Sequence, residues 1–231
     1  MKAVIFAAGE GKRLHPLTLE RPKPLIEVLG KPLIEHTWGV LPTSVDEVVV
    51  VIGYKGEMIK DFLGEEFAGK KVTYVEQEEP LGTAHALRLC ETHLTGEKKF
   101  LLMYADDLHS RDGVARCAEQ DMALLVSFVD DPRRFGVVVT NDDGTIKNIE
   151  EKPEHPKSNL AVTGVYVLSP KIFEYEATHT KNGEYYLTDM IEGYIKHHPM
   201  QVVESGFWIP IAYPHDIARA EEILKSLPGA I

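Results

Sequence analysis

Cysteine and long apolar runs are both scarce in this chain of 231 residues. Its two cysteines, Cys90 and Cys117, lie in no Cys-x-x-Cys spacing, which excludes a disulfide framework and a cysteine-rich zinc site. We interpret them as buried free thiols in a reducing compartment. No stretch approaches the roughly 18 uninterrupted apolar residues of a membrane span, and the first residues lack the long apolar region and cleavage site of a signal peptide. The sequence therefore predicts a cytoplasmic protein without a membrane segment.

Basic residues are outnumbered, with 25 Lys and Arg against 36 Asp and Glu and a net charge of −11. A general nucleic-acid binder carries the opposite charge, so that class of protein is excluded. A protein of this charge that binds phosphorylated small molecules must concentrate its cations locally, and residues 12–31 do so. The composition, 44% hydrophobic and 26% charged, is that of an ordinary globular protein long enough for one large α/β domain.

Strand and helix patterns alternate in the first half of the chain. Strands are predicted at 3–7, 45–52, 71–75 and 100–104, and helices at 32–41, 56–63 and 83–92. This alternation indicates right-handed βαβ units and a mainly parallel sheet.

The second half of the chain has a different pattern. Strands are predicted at 123–129, 136–140, 146–150 and 160–168, with a tight hairpin turn at 142–144, and helices at 186–197 and 214–227. Neither a linker nor an internal repeat appears. The sequence therefore predicts an α/β protein with one domain and a mixed, mostly parallel sheet flanked by helices.

A glycine-rich segment, residues 7–25, follows the first predicted strand and reads AAGEGKRLHPLTLERPKPL. Glycine lets main-chain N–H groups approach a phosphate closely. The same segment holds four cations, Lys12, Arg13, Arg21 and Lys23, and two prolines fix the backbone around the last of them. This combination is typical of a polyphosphate-binding loop.

Two commoner phosphate loops do not fit this segment. A P-loop requires glycine where Phe6 stands, and a dinucleotide-binding fingerprint requires a small residue where Leu14 stands. The Gly-x-Gly-x-Arg pattern followed by Arg-Pro-Lys-Pro instead resembles the sugar-1-phosphate nucleotidyltransferases, which include glucose-1-phosphate thymidylyltransferases and UDP-N-acetylglucosamine or UDP-glucose pyrophosphorylases. The resemblance covers nearly the whole chain.

This resemblance implies a fold and a reaction. It implies a Rossmann-like domain over 1–231, with a nucleotide-binding half at about 1–110 and a sugar-phosphate half at about 111–231. Because the chain stops soon after its last predicted helix, we expect no β-helix of the kind appended to some family members. The reaction joins a nucleoside triphosphate to a sugar 1-phosphate with Mg²⁺ as the cofactor and releases pyrophosphate. Such a transfer depends mainly on positioning and on electrostatic stabilisation of phosphate charge.

The resemblance also implies site residues in the nucleotide half. Arg13 and Lys23 would hold the phosphates and stabilise the transition state, and Asp106, at the end of a strand, would bind the metal ion. The remaining nucleotide contacts would be Ala7, Ala8, Gly9, Gly11, Gln77, Gly82 and Thr83. The amide of Gln77 offers a donor and an acceptor side by side, as the imide edge of a pyrimidine requires. His85, on the same helix start, is expected to pack rather than bind.

In the sugar-phosphate half the resemblance implies four residues. Gly136 would let the backbone approach the sugar, Glu151 would accept from its hydroxyls, Lys152 would neutralise its phosphate, and Thr163 would contact the sugar. The segment 156–164 resembles thymidylyltransferases, whereas Gly183 to Asp189 resembles uridylyltransferases of N-acetylglucosamine 1-phosphate. The sugar and the choice between UTP and dTTP therefore stay open.

Two departures from the family's pattern bear on catalysis. The family has a metal-binding Asp or Asn where this chain has Pro210, and Asp107 or Asp216 is the candidate replacement. Asp107 is otherwise expected to be a solvated neighbour, and Asp216 to lie out of reach on the last helix. Ala105 replaces a glycine, and its methyl group is expected to crowd the nucleotide.

These departures keep a second function open, that of a catalytically impaired nucleotide-sugar-binding homologue with a regulatory or partner role. A third, a CTP-dependent transfer to a phosphorylated amino alcohol, is disfavoured by the sugar-half motifs. The expected partners are thus small molecules, a nucleoside triphosphate and a sugar 1-phosphate, rather than a nucleic acid or a membrane.

Overall fold

The computed structural model describes residues 1–178 and 183–227. Within them, ten strands form one mixed sheet, and two further pairs of strands form small separate sheets. The strands are β1 Lys2–Ala7, β2 Glu27–Val28, β3 Lys31–Pro32, β4 Glu47–Ile52, β5 Glu66–Phe67, β6 Lys70–Glu76, β7 Phe100–Tyr104, β8 Asp107–His109, β9 Ala123–Phe128, β10 Gly136–Thr140, β11 Ile146–Glu151, β12 Leu160–Leu168, β13 Gln201–Glu204 and β14 Trp208–Pro210. The helices are α1 Leu33–Gly39, α2 Gly56–Leu63, α3 Thr83–Leu89, α4 Glu91–Leu94, α5 Arg111–Glu119, α6 Leu187–Tyr194 and α7 Pro214–Ser226.

The parallel strands form the centre of the large sheet, in the order β7-β1-β4-β6. Their near-continuous apolar sequences suit burial on both faces, and Val48 to Val51 have no solvent exposure. The prediction of an α/β fold with a mixed sheet flanked by helices is confirmed. Because these strands run in one direction, their carboxyl ends meet at one edge of the sheet, where open α/β sheets place ligands.

The second half of the chain extends this sheet with antiparallel strands. β12 pairs with β7 and links the two halves, while β10 and β11 form the predicted hairpin beyond it. At the turn of this hairpin, Gly144 has φ +80° and its N–H donates to Asn141 O. This is a backbone conformation that glycine adopts without strain.

Several elements were missed from the sequence or placed differently. The predicted helix at 83–92 is two helices, α3 and α4, divided at Cys90. Helix α5 and the short strands β2, β3, β5, β8, β13 and β14 were not predicted. These strands have two to four residues each, too few to show a period.

Three apolar clusters bury the elements against each other. Two lie on the opposite faces of the large sheet, and the third packs α7 under the loop region 14–33 and the β8–β14 pair. Cys90 and Cys117 are buried free thiols, as predicted. Within the described residues, no helix is both long and apolar enough to cross a membrane.

Candidate active site

The glycine-rich loop leaves β1 at Ala7 and folds back on itself. Gly11 has φ +67°, and a Cβ atom there would lie 3.0 Å from the Cβ of Lys23, so only glycine lets the two segments pack so closely. The hydroxyl of Thr18 donates to Gly11 O at 2.9 Å, and the hydroxyl of Tyr54 donates to Thr18 O at 3.0 Å. These contacts fix the stem of Lys23 against the start of the loop.

Lys23 and Asp106 meet at the carboxyl edge of the sheet. The Lys23 Nζ donates to Asp106 Oδ2 at 2.8 Å, although the two residues are 83 positions apart in the chain. The Lys23 side chain is 13% exposed and that of Asp106 is 40% exposed. A partly desolvated cation next to a carboxylate at a strand end suits the binding of a metal ion and a phosphate together.

The second oxygen of Asp106 is a suitable metal ligand. Asp106 Oδ1 is buried and has no hydrogen-bond partner among the described residues, and hard cations such as Mg²⁺ prefer carboxylate oxygen. No group of three or more metal-binding side chains occurs in the part of the chain that the structure describes. Mg²⁺ accepts one or two carboxylates if substrate phosphates and waters complete its shell, so Asp106 fits such a site.

Asp107 is not the solvated neighbour that the sequence suggested. Its Oδ2 accepts from Trp208 Nε1 at 2.9 Å and its Oδ1 accepts from the backbone N–H of Ile211 at 3.1 Å. Burial of its carboxyl group and the charge of Asp106 raise the pKa of Asp107 to about 7, against the opposing effect of Lys23. Asp107 therefore holds the segment 208–211, and both of its oxygens are occupied.

Asp216 is also occupied. It lies on α7, where its Oδ2 accepts from the N–H groups of Ala212 at 2.8 Å and Tyr213 at 2.7 Å and caps the helix. Pro210 lies on β14 opposite Asp107. In this conformation both oxygens of Asp107 and the Oδ2 of Asp216 are therefore engaged by protein donors rather than directed to a metal ion beside Asp106.

Ala105 does not crowd the cleft. Its side chain has no exposure and packs within the apolar cluster on the sheet face of α1 and α5, while its N–H donates to Phe6 O at 3.0 Å. The expected clash between its methyl group and a nucleotide is wrong, because the side chain points into the core.

Gln77, Gly82 and Thr83 lie together between β6 and α3. The Gln77 Nε2 lies 3.0 Å from Gly82 O and 3.1 Å from His85 Nδ1. These contacts fix the amide orientation, so His85 positions Gln77 rather than only packing. Gly82 has φ +98° and lies against the backbone of Tyr185, and the hydroxyl of Thr83 accepts from Leu187 N at 2.9 Å. The start of α3 is thus bonded to the start of α6.

The remaining predicted nucleotide contacts line the loop. Ala7 is buried at the end of β1, Ala8 is partly buried, and Gly9 is exposed with open space around its Cα. Arg13 is exposed and, within residues 1–178 and 183–227, forms no ion pair. Its guanidinium group is therefore available to an anion.

In the other half, Gly136, Glu151 and Lys152 are brought together at the ends of β10 and β11. A Cβ on Gly136 would lie 3.3 Å from Glu151 Oε2, which accepts from the hydroxyl of Thr188 at 3.2 Å. Glu151 Oε1 lies 3.3 Å from Lys152 Nζ, and that ammonium lies 4.7 Å from the centre of the Tyr186 ring. Burial is the largest single influence on the pKa of Lys152 and lowers it, but the charges and hydrogen bonds of Glu151 and Tyr186 together outweigh burial, so the pKa is raised.

Thr163 differs from these residues. It is 1% exposed, and its hydroxyl donates to Leu125 O at 3.0 Å, while its carbonyl faces His109 Nε2 at 2.8 Å. Its side chain is turned into the sheet and is not available to a ligand in this conformation.

Sequence reasoning did not find three contributors to this site. Asp107 anchors the 208–211 segment, Tyr186 lies under Lys152, and Thr188 supports Glu151. Tyr186 and Thr188 belong to the motif at 183–189 that was noted for its resemblance, so the motif itself was the available signal. For Asp107 the sequence offered no such signal, because a carboxylate next to a strand end is expected to be solvated unless its hydrogen-bond partners are known.

The structure is thus an α/β fold in which the glycine-rich loop, Lys23 and Asp106 lie together at the carboxyl ends of parallel strands. The chain belongs to the nucleotidyl transferase family, whose model matches residues 2–226. It is 39% identical to the UTP–glucose-1-phosphate uridylyltransferase AglF of Haloferax volcanii, over 97% of both chains. It is 36% identical to the bifunctional protein GlmU of Methanocaldococcus jannaschii, over 97% of this chain and 54% of that protein. The chain thus spans about half the length of that bifunctional relative.

Solved structures show the same fold. A Bacillus anthracis protein assigned as a glucose-1-phosphate thymidylyltransferase, in complex with sucrose, superposes with a TM-score of 0.85 at 32% identity, covering 98% of this chain and 96% of that one. A UDP-glucose pyrophosphorylase complexed with UDP-glucose superposes with a TM-score of 0.82 at 23% identity, covering 97% of this chain and 98% of that one. At that identity the second match supports the fold alone.

Proposed function

We propose that this protein transfers a nucleotidyl group from UTP or dTTP to a sugar 1-phosphate and releases pyrophosphate. The observation that carries the proposal is the pairing of Lys23 with Asp106 beneath a glycine-rich loop, because the chemistry requires a cation and a metal-binding carboxylate at the same phosphate.

The loop and α3 would bind the nucleotide. Gln77, whose Nε2 is engaged by Gly82 O and His85 Nδ1, would accept a hydrogen bond from the base through its Oε1, and the exposed Arg13 would neutralise the outer phosphates. The N–H groups around Gly9 and Gly11 would approach the phosphates because no side chain lies in their way. Lys23 would leave Asp106 and move its charge to the α-phosphate as the negative charge there grows.

The acceptor would enter from the side of β10 and β11. Glu151, supported by Thr188, would accept hydrogen bonds from sugar hydroxyls, and Lys152 would contact the sugar phosphate. An oxygen of that phosphate would attack the α-phosphorus in line. The bond from the α-phosphorus to the bridging oxygen would break, and pyrophosphate would carry away the electron pair. A Mg²⁺ ion held by Asp106 Oδ1 would supply neutralisation of the phosphate charge.

The relatives favour UTP and glucose 1-phosphate as the first substrates to test, because the 39% identical protein is named for them. The thymidylyltransferase match keeps dTTP as the second choice. Two buried free cysteines support the proposal of a cytoplasmic location.

Pro210 favours a second candidate function, a nucleotide-sugar-binding homologue with impaired catalysis. Both oxygens of Asp107 and the Oδ2 of Asp216 accept from backbone or indole donors, so neither of the two candidate replacements is placed as a second carboxylate beside Asp106. Turnover separates the two candidates, since a binding protein would retain UDP-glucose without releasing pyrophosphate from UTP and glucose 1-phosphate. Release that depends on both substrates would favour the enzyme, and binding without release would favour the second candidate.

A further inference from the structure

Arg134 occupies a defined position at the edge of the sugar-phosphate half. It directly precedes Phe135 and Gly136 on the approach to β10. Its guanidinium carbon lies 5.3 Å from the centre of the Tyr213 ring and 6.0 Å from that of Phe135. Phe135 in turn packs edge-on against Trp208, with ring centres 4.9 Å apart. Two aromatic rings therefore restrict the orientation of an otherwise exposed guanidinium.

The same arginine lines a groove with Lys152. The lining residues are Asp131, Arg133, Arg134, Lys152, Pro153 and Glu154. A main-chain hydrogen bond joins the segments that carry these two cations, because the N–H of Lys152 donates to Phe135 O at 3.0 Å.

Of the three cations in this groove, two are paired with carboxylates and one is not. Arg133 donates to both oxygens of Asp131, at 2.8 and 2.7 Å, and this contact lowers the pKa of Asp131 to about 2. Lys152 is paired with Glu151. Arg134 forms no ion pair with any residue that the structure describes, so its N–H donors remain available to an anion from solution.

We propose that Arg134 is a substrate-binding residue that, together with Lys152, holds the phosphate group of the sugar 1-phosphate. This inference rests on the proposed function and adds to it a residue that selects for the phosphate monoester. A guanidinium group presents several N–H donors in a planar fork that matches two oxygens of a phosphate. Its stacking on Tyr213 and Phe135 reduces the rotational freedom lost when the phosphate binds. Lys152 alone would act as a point charge that is already shared with Glu151.

The adjacent arginine provides a matched control. Arg133→Met removes the same charge from the same groove, one residue away, but removes a guanidinium that Asp131 already occupies. Arg134→Met removes the free guanidinium, and Arg134→Lys keeps the charge while it removes the fork and most of the stacking. Thermal unfolding of each variant shows whether it is folded before binding is compared.

Calorimetry would measure the binding of glucose 1-phosphate and of N-acetylglucosamine 1-phosphate. The protein would be saturated with Mg²⁺ and a UTP analogue whose α,β-bridging oxygen is replaced by a methylene group. We expect Arg134→Met to weaken the tighter of the two sugar phosphates by about tenfold or more, and Arg134→Lys to weaken it by a smaller factor. Arg133→Met should stay within about twofold of the wild type, and the affinity for the UTP analogue should be unchanged in all variants.

Unchanged binding of the sugar phosphate by Arg134→Met would overturn the proposal for Arg134, as would an equal loss in Arg133→Met. Either result would leave the proposed function standing, provided that the wild type binds. If the folded wild type bound the nucleotide analogue but neither sugar phosphate, both the acceptor in the proposed function and the role of Arg134 would be overturned.

Discussion

Gly82 gives a prediction whose size follows from its geometry. It has φ +98°, and a Cβ atom there would lie 2.4 Å from Tyr185 O and 2.8 Å from Tyr185 N. Those two atoms form hydrogen bonds that join α3 to the segment before α6. Ala84 N donates to Tyr185 O at 2.9 Å and Tyr185 N donates to Leu81 O at 2.8 Å. An alanine at 82 would therefore force apart the contact between the two halves of the site.

The cost of Gly82→Ala has two parts. Gly82 has φ 98° and ψ −179°, a backbone region that is essentially restricted to glycine and costs another residue about 1–3 kcal/mol. Weakening two backbone hydrogen bonds costs about 1 kcal/mol each. The sum is about 3–5 kcal/mol, which lowers the Tm of a chain of this length by on the order of 10 °C. Nucleotide affinity should fall as well, because Gln77 bonds to the carbonyl of Gly82.

Substitutions at two other glycines separate the backbone cost from the cost of the close contact with Tyr185. Gly69 has φ +76° and nothing within 4 Å of an added Cβ, so Gly69→Ala tests the cost of a positive φ without a steric contact. Gly39 ends α1 with open space and no left-handed φ, so Gly39→Ala tests neither part. Thermal unfolding followed by circular dichroism should give the order Gly82→Ala, Gly69→Ala, Gly39→Ala from least to most stable. A Tm for Gly82→Ala equal to that of Gly69→Ala would refute the close contact with Tyr185.

Three further predictions concern the cation site. Lys23→Met keeps the apolar stem and should lower kcat by about 100-fold with little change in KM in steady-state assays. A kcat within a few-fold of the wild type would count against the role of Lys23 in stabilising the transition state. Asp107→Ala should reduce the free energy of unfolding in urea by about 2 kcal/mol, since two partly buried N–H groups lose their acceptor. The exposed control Asp142→Ala should change it little, and equal losses would contradict the anchoring role. Pro210→Asp should tighten Mn²⁺ binding to the nucleotide-free protein by about tenfold, as measured by electron paramagnetic resonance. Pro210→Ala should not, and no gain with the aspartate would mean that β14 lies too far from Asp106.

The central fold could be predicted because its signals are local. The apolar runs of β1, β4 and β7 and the breakers between them specify buried parallel strands without knowledge of the partners. The β8–β14 pair could not be predicted. It has three residues in each strand and depends on Asp107 reaching Trp208 and Ile211, about 100 positions away in the chain.

The candidate site could be predicted to the extent that its motifs are continuous in the sequence. The loop carrying Lys23 and the strand end carrying Asp106 are each proposed from a local motif, but their 2.8 Å contact depends on the tertiary fold. The inward-facing Thr163 and the buried methyl group of Ala105 show the limit of this approach. A β-strand presents alternate faces, and a motif does not state which face meets the ligand.

Pyrophosphate release tests the central claim most directly. The purified protein would be assayed with Mg²⁺, each of UTP, dTTP, CTP, ATP and GTP, and a panel of sugar 1-phosphates that includes glucose 1-phosphate and N-acetylglucosamine 1-phosphate. We expect release that requires both substrates, is fastest with UTP or dTTP, and is lost in Lys23→Met. No release across the panel from folded protein that binds UDP-glucose would contradict the account, and would mean that the pocket is retained without transfer.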